Sequence, residues 1–329
     1  MLFPYIGSGP YCFSNSLAMA LGPGSPGTPV LEVLTGSPFG FQLIDGVLPF
    51  FDPFGWDPEN GLDSALDLLG WECLRSDGES PEEAEERLRR AVERAPVLAG
   101  PLEMGLLLQQ PGSGTAVGAD HYVLVVAVEK DTVVFHDPHG HPWATLPVPA
   151  FLAAWQAEQI DYVDRPFVMR TGFTRGRETT PAEALRASLP RAAELLRAHE
   201  TGAGADLPPE SLGGAAGLER LAEQVAEGLD PDIRQMMEKF SLRAGARRTT
   251  DAAVCLAGIG FRNAAGVLTR QARILGGLQY PLVTLDDAAV VAGLRELAPT
   301  YEELRTALLA ELSERGGAVA TADGAVSAG

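Results

Sequence analysis

Along the chain the spacing of apolar residues changes character once. Up to about Phe173, short runs rich in β-branched and aromatic residues alternate with stretches of helical period; beyond Thr180 apolar residues recur at the three-to-four spacing of amphipathic helices. The pattern predicts a helix over CFSNSLAMAL, stopped by Gly22-Pro23, with Cys12 at its N-terminus. A short helix opens at Thr28-Pro29, and another runs from Asn60 to Leu69 and ends at Gly70. Between them SPFGFQLIDGVLPFFDPFGW reads as irregular strands or a packed loop. Ser80-Pro81-Glu82-Glu83 has the form of a capping box with proline at the first helical position, so a helix runs to about Arg94.

PVLAG, HYVLVVAVE, DTVVFHD and HPWATLPV then read as strands of an antiparallel sheet, separated by turns such as Glu129-Lys130-Asp131 and Pro138-His139-Gly140. A helix over Pro149 to Gln159 and a closing strand from Arg165 to Arg170 complete this half. The remainder predicts helices at about 181–200, 213–229, 231–241, 249–259, 261–275, 285–295 and 298–315. The expected class is α+β: residues 1–175 form a helix-and-sheet domain, 176–315 an all-α domain, and 316–329 a flexible tail of small residues. The boundary falls in TRGRETT, residues 174–180.

Composition narrows the classes of partner. The 329 residues suffice for two domains, and 46% hydrophobic residues with a mean hydropathy of +0.04 describe a globular chain, neither disordered nor membrane-embedded. Forty-four acidic against 25 basic residues leave a formal net charge of −19. That field repels a phosphate backbone and an anionic lipid surface, so neither nucleic acid nor membrane is expected as a partner. The acid is concentrated early: residues 1–175 hold 23 acids against 9 bases. Cys12, Cys73 and Cys255, odd in number and far apart, read as reduced thiols, and MLFPYIGSGP lacks the basic and apolar regions of a signal peptide. A cytoplasmic location is expected, and a homo-oligomer is compatible with the sequence.

One constellation carries chemistry. A thiol at a helix N-terminus feels the positive end of the helix dipole, which favours thiolate. His121 opens one strand and Asp137 ends the next, so a hairpin sets them side by side. An imidazole beside a thiol takes its proton, and a carboxylate on the far ring nitrogen orients the imidazole. Cys12, His121 and Asp137 are therefore the candidate catalytic residues. The order Cys, His, Asp, with the thiol on a helix and its partners on a sheet, is a papain-like arrangement. The cluster His136, Asp137, His139 and His141 fits no zinc spacing and alternates across a strand, so no metal is expected. His139 and His141 are expected in turns near the mouth of the site.

With these residues in place the chain resembles the butirosin biosynthesis protein H family, papain-like acyltransferases related to the bacteriocin-processing cysteine peptidases. The resemblance rests on Gly9 to Cys12 with the helix after it, on Glu32 and Gly36 before Phe-Gly-Phe, on HYVLVVAVEKDTVVFHDP, and on the helical second half. It implies that Cys12 accepts an acyl group from the phosphopantetheine thioester of an acyl carrier protein. His121 would deprotonate first the thiol and then a small-molecule amine acceptor, and Asp137 would orient His121. The setting implied is natural-product biosynthesis, with no resident cofactor. Two departures stand out: Tyr11 occupies a position where the family commonly has histidine, and Tyr5, Ile6, Gly7 and Ser8 fill the stretch where the peptidases place an oxyanion-binding glutamine. The candidate oxyanion and substrate residues are then Ser8, Tyr11 and Asn15, with the Cys12 N–H.

Arg243, Arg247 and Arg248 form the densest basic cluster of an acidic chain and are the candidate carrier-docking patch. Phe39, Phe41, Phe50, Phe51, Phe54 and Trp56 read either as core or as the lining of an acyl tunnel. Two other readings stand beside the transferase. The same triad serves a thioesterase, cyclase or amidase/peptidase, and an inert helper could bind a carrier protein with the same fold.

Overall fold

A computed structural model describes residues 6–7, 9–200 and 207–326, with side chains through residue 315. The fold is α+β, with antiparallel sheets and a helical C-terminal region. In chain order its elements are α1 (Cys12–Leu21), α2 (Thr28–Thr35), β1 (Gln42–Ile44), β2 (Leu48–Phe50), α3 (Pro58–Leu69), β3 (Trp71–Ser76), α4 (Pro81–Val92), β4 (Val97–Glu103), β5 (Asp120–Glu129), β6 (Thr132–Asp137), β7 (His141–Pro147), α5 (Val148–Trp155) and β8 (Met169–Arg175). There follow α6 (Pro181–Leu195), β9 (Leu212–Gly213), α7 (Gly214–Gly228), α8 (Pro231–Met236), α9 (Leu242–Gly258), α10 (Arg262–Val283), α11 (Asp287–Leu297) and α12 (Thr300–Val326). The last helix therefore continues past residue 315, where a flexible tail was expected.

Two compact units divide the chain: Met1–Leu31 with Leu69–Glu178, and Glu32–Leu68 with Thr179–Gly329. A single boundary in TRGRETT leaves Glu32–Leu68 in the first domain, but that segment groups with the later helices. Two pairings explain this: β1 hydrogen-bonds to β9, and Arg248 of α9 bonds to Glu32 and Asp52.

The first unit is built on a six-stranded antiparallel sheet ordered β3-β8-β4-β5-β6-β7. Alternation along the central strands turns Val97, Ala99, Val123 and Val125 to one face, where they pack with Leu88 of α4 and with Phe151 and Trp155 of α5. Helix α1 covers the other face: the Phe13 ring meets Tyr122 edge-on at 6.4 Å, and the Ser16 hydroxyl donates to the Tyr122 carbonyl at 2.9 Å. Gly100 permits a close approach there. Its φ is +152°, and a Cβ at this position would lie 2.3 Å from Cδ1 of Tyr122.

Helix α4 begins as its sequence indicates, with the Ser80 hydroxyl accepting the Glu83 N–H at 3.2 Å, although the complete reciprocal box forms at Thr180 and Glu183, before α6. Strand β3 has no strand signature in WECLRS. It is an edge strand with mixed exposure, set by pairing with β8 rather than by its own apolar pattern.

The second unit combines the three-stranded sheet β2-β1-β9 with helices. Its centre holds a buried charge cluster. Arg248 Nε bonds Glu32 Oε1 at 2.8 Å, and its guanidinium reaches Asp52 Oδ2 at 3.0 Å and the Phe51 carbonyl at 3.2 Å. The Ser37 hydroxyl donates to the same Glu32 Oε1, and the Gln42 amide to Asp52 Oδ1, at 2.6 Å each. Phe39, Phe41 and Phe51 are core residues of this unit, so the reading of the aromatic stretch as an acyl tunnel gives way to the core reading.

Removing the cation from this cluster strands two buried carboxylates. Arg248→Leu is expected to cost about 3–5 kcal/mol in urea denaturation, against less than about 0.5 kcal/mol for exposed Arg243→Ala. An unchanged midpoint for Arg248→Leu contradicts the assignment.

Candidate active site

The backbone brings His121 and Asp137 together through strand register. Leu124 of β5 pairs with His136 of β6, so the start of β5 and the end of β6, which carry His121 and Asp137, lie side by side at one end of the hairpin. The contact is made: His121 Nε2 lies 2.7 Å from Asp137 Oδ1, with both side chains buried. This leaves Nδ1 of the ring for the hydrogen bond that joins His121 to the Cys12 thiol. The Tyr122 backbone N–H also donates to the Cys12 sulfur. Cys12 is the first residue of α1, as the sequence predicts, and the N-cap residue Tyr11 makes no side-chain cap hydrogen bond.

The electrostatics follow from burial and pairing. Burial disfavours the His121 imidazolium, but the charge of Asp137 and its hydrogen bond outweigh this, and with the help of Cys12 raise the His121 pKa to about 10. Asp137 is held well below the usual carboxylate range: burial opposes its charge, while His121, the His139 N–H and Gln109 favour it. Burial pushes the Cys12 thiol up; the hydrogen bond and charge of His121 pull it down, and Asp120 adds to the rise. Thiol and imidazole thus each influence the other's protonation.

Among the other expected residues, Asn15 stands one turn along α1 from Cys12. It is buried, and among the described residues neither its amide oxygen nor its amide nitrogen has a hydrogen-bond partner. Buried amides are nearly always satisfied, which makes Asn15 a candidate polar contact for a bound group. Tyr11, the N-cap residue of α1, is buried. Ser8 lies outside the described residues. His139 does reach the site, its ring 4.9 Å from that of His121. His136 faces elsewhere, accepting the Trp143 N–H at Nδ1. Among the described residues no group of three or more His, Cys, Asp and Glu is placed to hold a metal ion, and no helix is long and apolar enough to cross a membrane.

The basic patch needs correction. Arg248 is 4% exposed and committed to Glu32 and Asp52, so it cannot dock a carrier. Arg247 pairs with Asp251, which leaves Arg243 exposed, its guanidinium donating to the Lys239 carbonyl. An arginine on an amphipathic helix reads as surface until a buried carboxylate claims it. Conversely, Gln109 and Gln110 escaped the sequence reading although both reach Asp137 Oδ2, at 2.8 Å each. Their Gln-Gln-Pro-Gly context carries only a turn signal, and closure of the loop alone brings them to Asp137.

Comparison with known proteins corrects the family. Residues 208–309 match the model of the YobF C-terminal domain. The chain is also 35% identical over 161 residues to the "Uncharacterized protein YobF" of Bacillus subtilis (strain 168), an overlap of 48% of this chain and 52% of the relative. The chain thus spans about half the length of the curated relative it matches. These findings overturn the resemblance to the butirosin biosynthesis protein H family. The motifs behind that resemblance are the local requirements of a thiol-bearing helix and a His/Asp hairpin, which do not separate one family from another.

The raised His121 pKa and lowered Asp137 pKa define a stability window. The His121 contribution is complete below its ordinary value of about 6.5 and is lost as pH rises through about 10; the Asp137 contribution is complete above about 4 and is lost in acid. The stability gap between wild type and Asp137→Asn, measured by urea denaturation, should therefore be largest between about pH 4 and 6.5 and shrink by pH 10. A constant gap contradicts the pairing.

Proposed function

We propose that this chain is a cysteine-dependent acyl-transfer enzyme working through an acyl-Cys12 intermediate. The observation that carries the reading is the continuous hydrogen-bonded series Cys12, His121, Asp137, buried at its His/Asp end and starting from the first residue of a helix. The carrier-protein donor and amine acceptor followed from the family resemblance and from the basic patch, and neither now supports them. What the residues favour is acyl transfer from a thioester or other activated acyl donor, to an amine or to water.

Each residue has a role in that chemistry. His121 takes the thiol proton, and the thiolate attacks the acyl carbon. The carbonyl oxygen, now an anion, is met by the Cys12 N–H and by the Asn15 amide, which has no hydrogen-bond partner among the described residues. Collapse expels the leaving group, which takes the proton from His121 and leaves the acyl group on Cys12. The acceptor then gives a proton to His121 and attacks the acyl carbon, and Cys12 departs as thiolate. Asp137 keeps its negative charge throughout, holding the ring and stabilising the imidazolium.

Intact-protein mass spectrometry after incubation with a panel of acyl thioesters tests the reading. Expected is one covalent adduct, absent in Cys12→Ser, formed about 100-fold or more slowly in Asp137→Asn and about 10-fold or more slowly in Asn15→Ala. Acylation that persists in Cys12→Ser, or labelling of Cys73 or Cys255 as fast as Cys12, would falsify it.

A further inference from the structure

Asp137 has more donors than a triad carboxylate needs for its histidine. Oδ1 accepts from His121 Nε2 at 2.7 Å and from the His139 N–H at 2.8 Å; Oδ2 accepts from the side-chain amides of Gln109 and Gln110, each at 2.8 Å. A carboxylate offers about four acceptor sites, so all are taken. The two oxygens are also divided in function, one given to the histidine and its turn, the other to a pair of glutamines from a single loop.

That loop, residues 104–119 between β4 and β5, is closed on itself. Glu103, 2% exposed, accepts the N–H of Gly105 at 3.1 Å and of Val117 at 2.9 Å on one oxygen, and that of Gly118 at 2.9 Å on the other. Met104 N–H donates to the Ala119 carbonyl at 2.8 Å, and Gly114 N–H to the Gly105 carbonyl at 2.7 Å. Leu107 anchors the loop in the hydrophobic core of the first unit, and Ser113 caps the Gln110 carbonyl at 2.7 Å. Gly105 cannot carry a side chain, since a Cβ would lie 2.1 Å from the Thr115 carbonyl oxygen. The loop is thus pinned at both ends by one carboxylate and seated by one leucine, and it delivers two adjacent amides to one oxygen.

We propose that loop 104–119 is a positioning strap for the acyl-transfer site: Gln109 and Gln110 lock the rotation of Asp137 and keep it charged, so that its other oxygen is committed to His121. This rests on the acyl-enzyme reading of Cys12. The glutamines are positioning residues, acting on the chemistry through Asp137 and His121. Their amide dipoles also place partial positive charge behind the carboxylate, so their loss makes the surroundings of Cys12 and His121 more negative. The titratable groups facing that pair are Asp120 and Tyr122 of β5, Asp137 and His139 at the end of β6, and Tyr162, whose hydroxyl donates to Asp120 at 2.8 Å. The strap variants leave all of them in place.

The test reads Cys12 directly, through the pH dependence of its alkylation by iodoacetamide, located by peptide mass spectrometry, alongside acylation by a thioester. In Gln109→Leu/Gln110→Leu the acid limb of the alkylation profile should move to higher pH, and acylation should slow by about 10- to 100-fold, with single variants between. Glu103→Gln, which touches none of the three reacting residues through its own side-chain bonds, should reproduce the shift by unpinning the loop. Combined with the double glutamine change it should add little, because both act through one element. Thermal melts confirm folding; should the double variant not fold, the single variants and Glu103→Gln give the same readout. A profile unchanged from wild type in the folded variants overturns the strap. A shifted profile in a protein whose wild type never acylates supports the strap and overturns the acyl-enzyme reading instead.

Discussion

The first unit is organised around one requirement: a carboxylate and an imidazole, both buried, must each be given enough partners to keep their charges out of water. Burial alone would drive both groups neutral, and at 2.7 Å each is the main reason the other stays ionised. Everything near the pair serves that condition. Register between β5 and β6 sets the two residues side by side at one end of the hairpin, the turn after β6 folds back so that the His139 N–H reaches Asp137, and the loop after β4 brings two amides to its second oxygen. The imidazole, held at one nitrogen, has its other nitrogen for the thiol at the start of α1. The geometry of the candidate site and its electrostatic satisfaction are here the same arrangement.

The second unit solves a similar problem with a guanidinium in place of the imidazole. Arg248, Glu32 and Asp52 are enclosed, and Ser37, Gln42 and a main-chain carbonyl complete their hydrogen bonds. Such a cluster specifies which segments pack together more than it adds net stability, because desolvation of the ions offsets much of their attraction. It explains why residues 32–68 leave the unit that holds the sequences on either side. The match to the YobF C-terminal domain, residues 208–309, falls within this second unit, whereas the candidate chemistry resides wholly in the first.

Local signals were legible wherever the physics is local. The thiol-bearing helix CFSNSLAMAL, stopped by Gly-Pro, and the hairpin HYVLVVAVEKDTVVFHD were readable from period and turn chemistry, and the hairpin alone implied the His121–Asp137 contact. Strand β3 was not readable, because an exposed edge strand owes its conformation to its neighbour. Helix α10 was foreseen to about residue 275 and extends to Val283, through Gly276, Gly277 and Pro281, residues that locally argue for an end. Packing against α9 and α11 overrides them.

The sequence by itself determined most of the elements and the meeting of His121 with Asp137, because those depend on period-two and period-3.6 patterns and on a short hairpin. The tertiary structure decided which polar side chains are enclosed. Arg248 and Gln109 look alike in sequence, each a polar residue in an unremarkable context. One became a buried counter-ion of Glu32 and Asp52 and the other a hydrogen-bond partner of the buried Asp137 carboxylate. That difference arises because a buried charge accepts whatever donors the fold brings within about 3 Å, and only closure of the chain in three dimensions sets those distances.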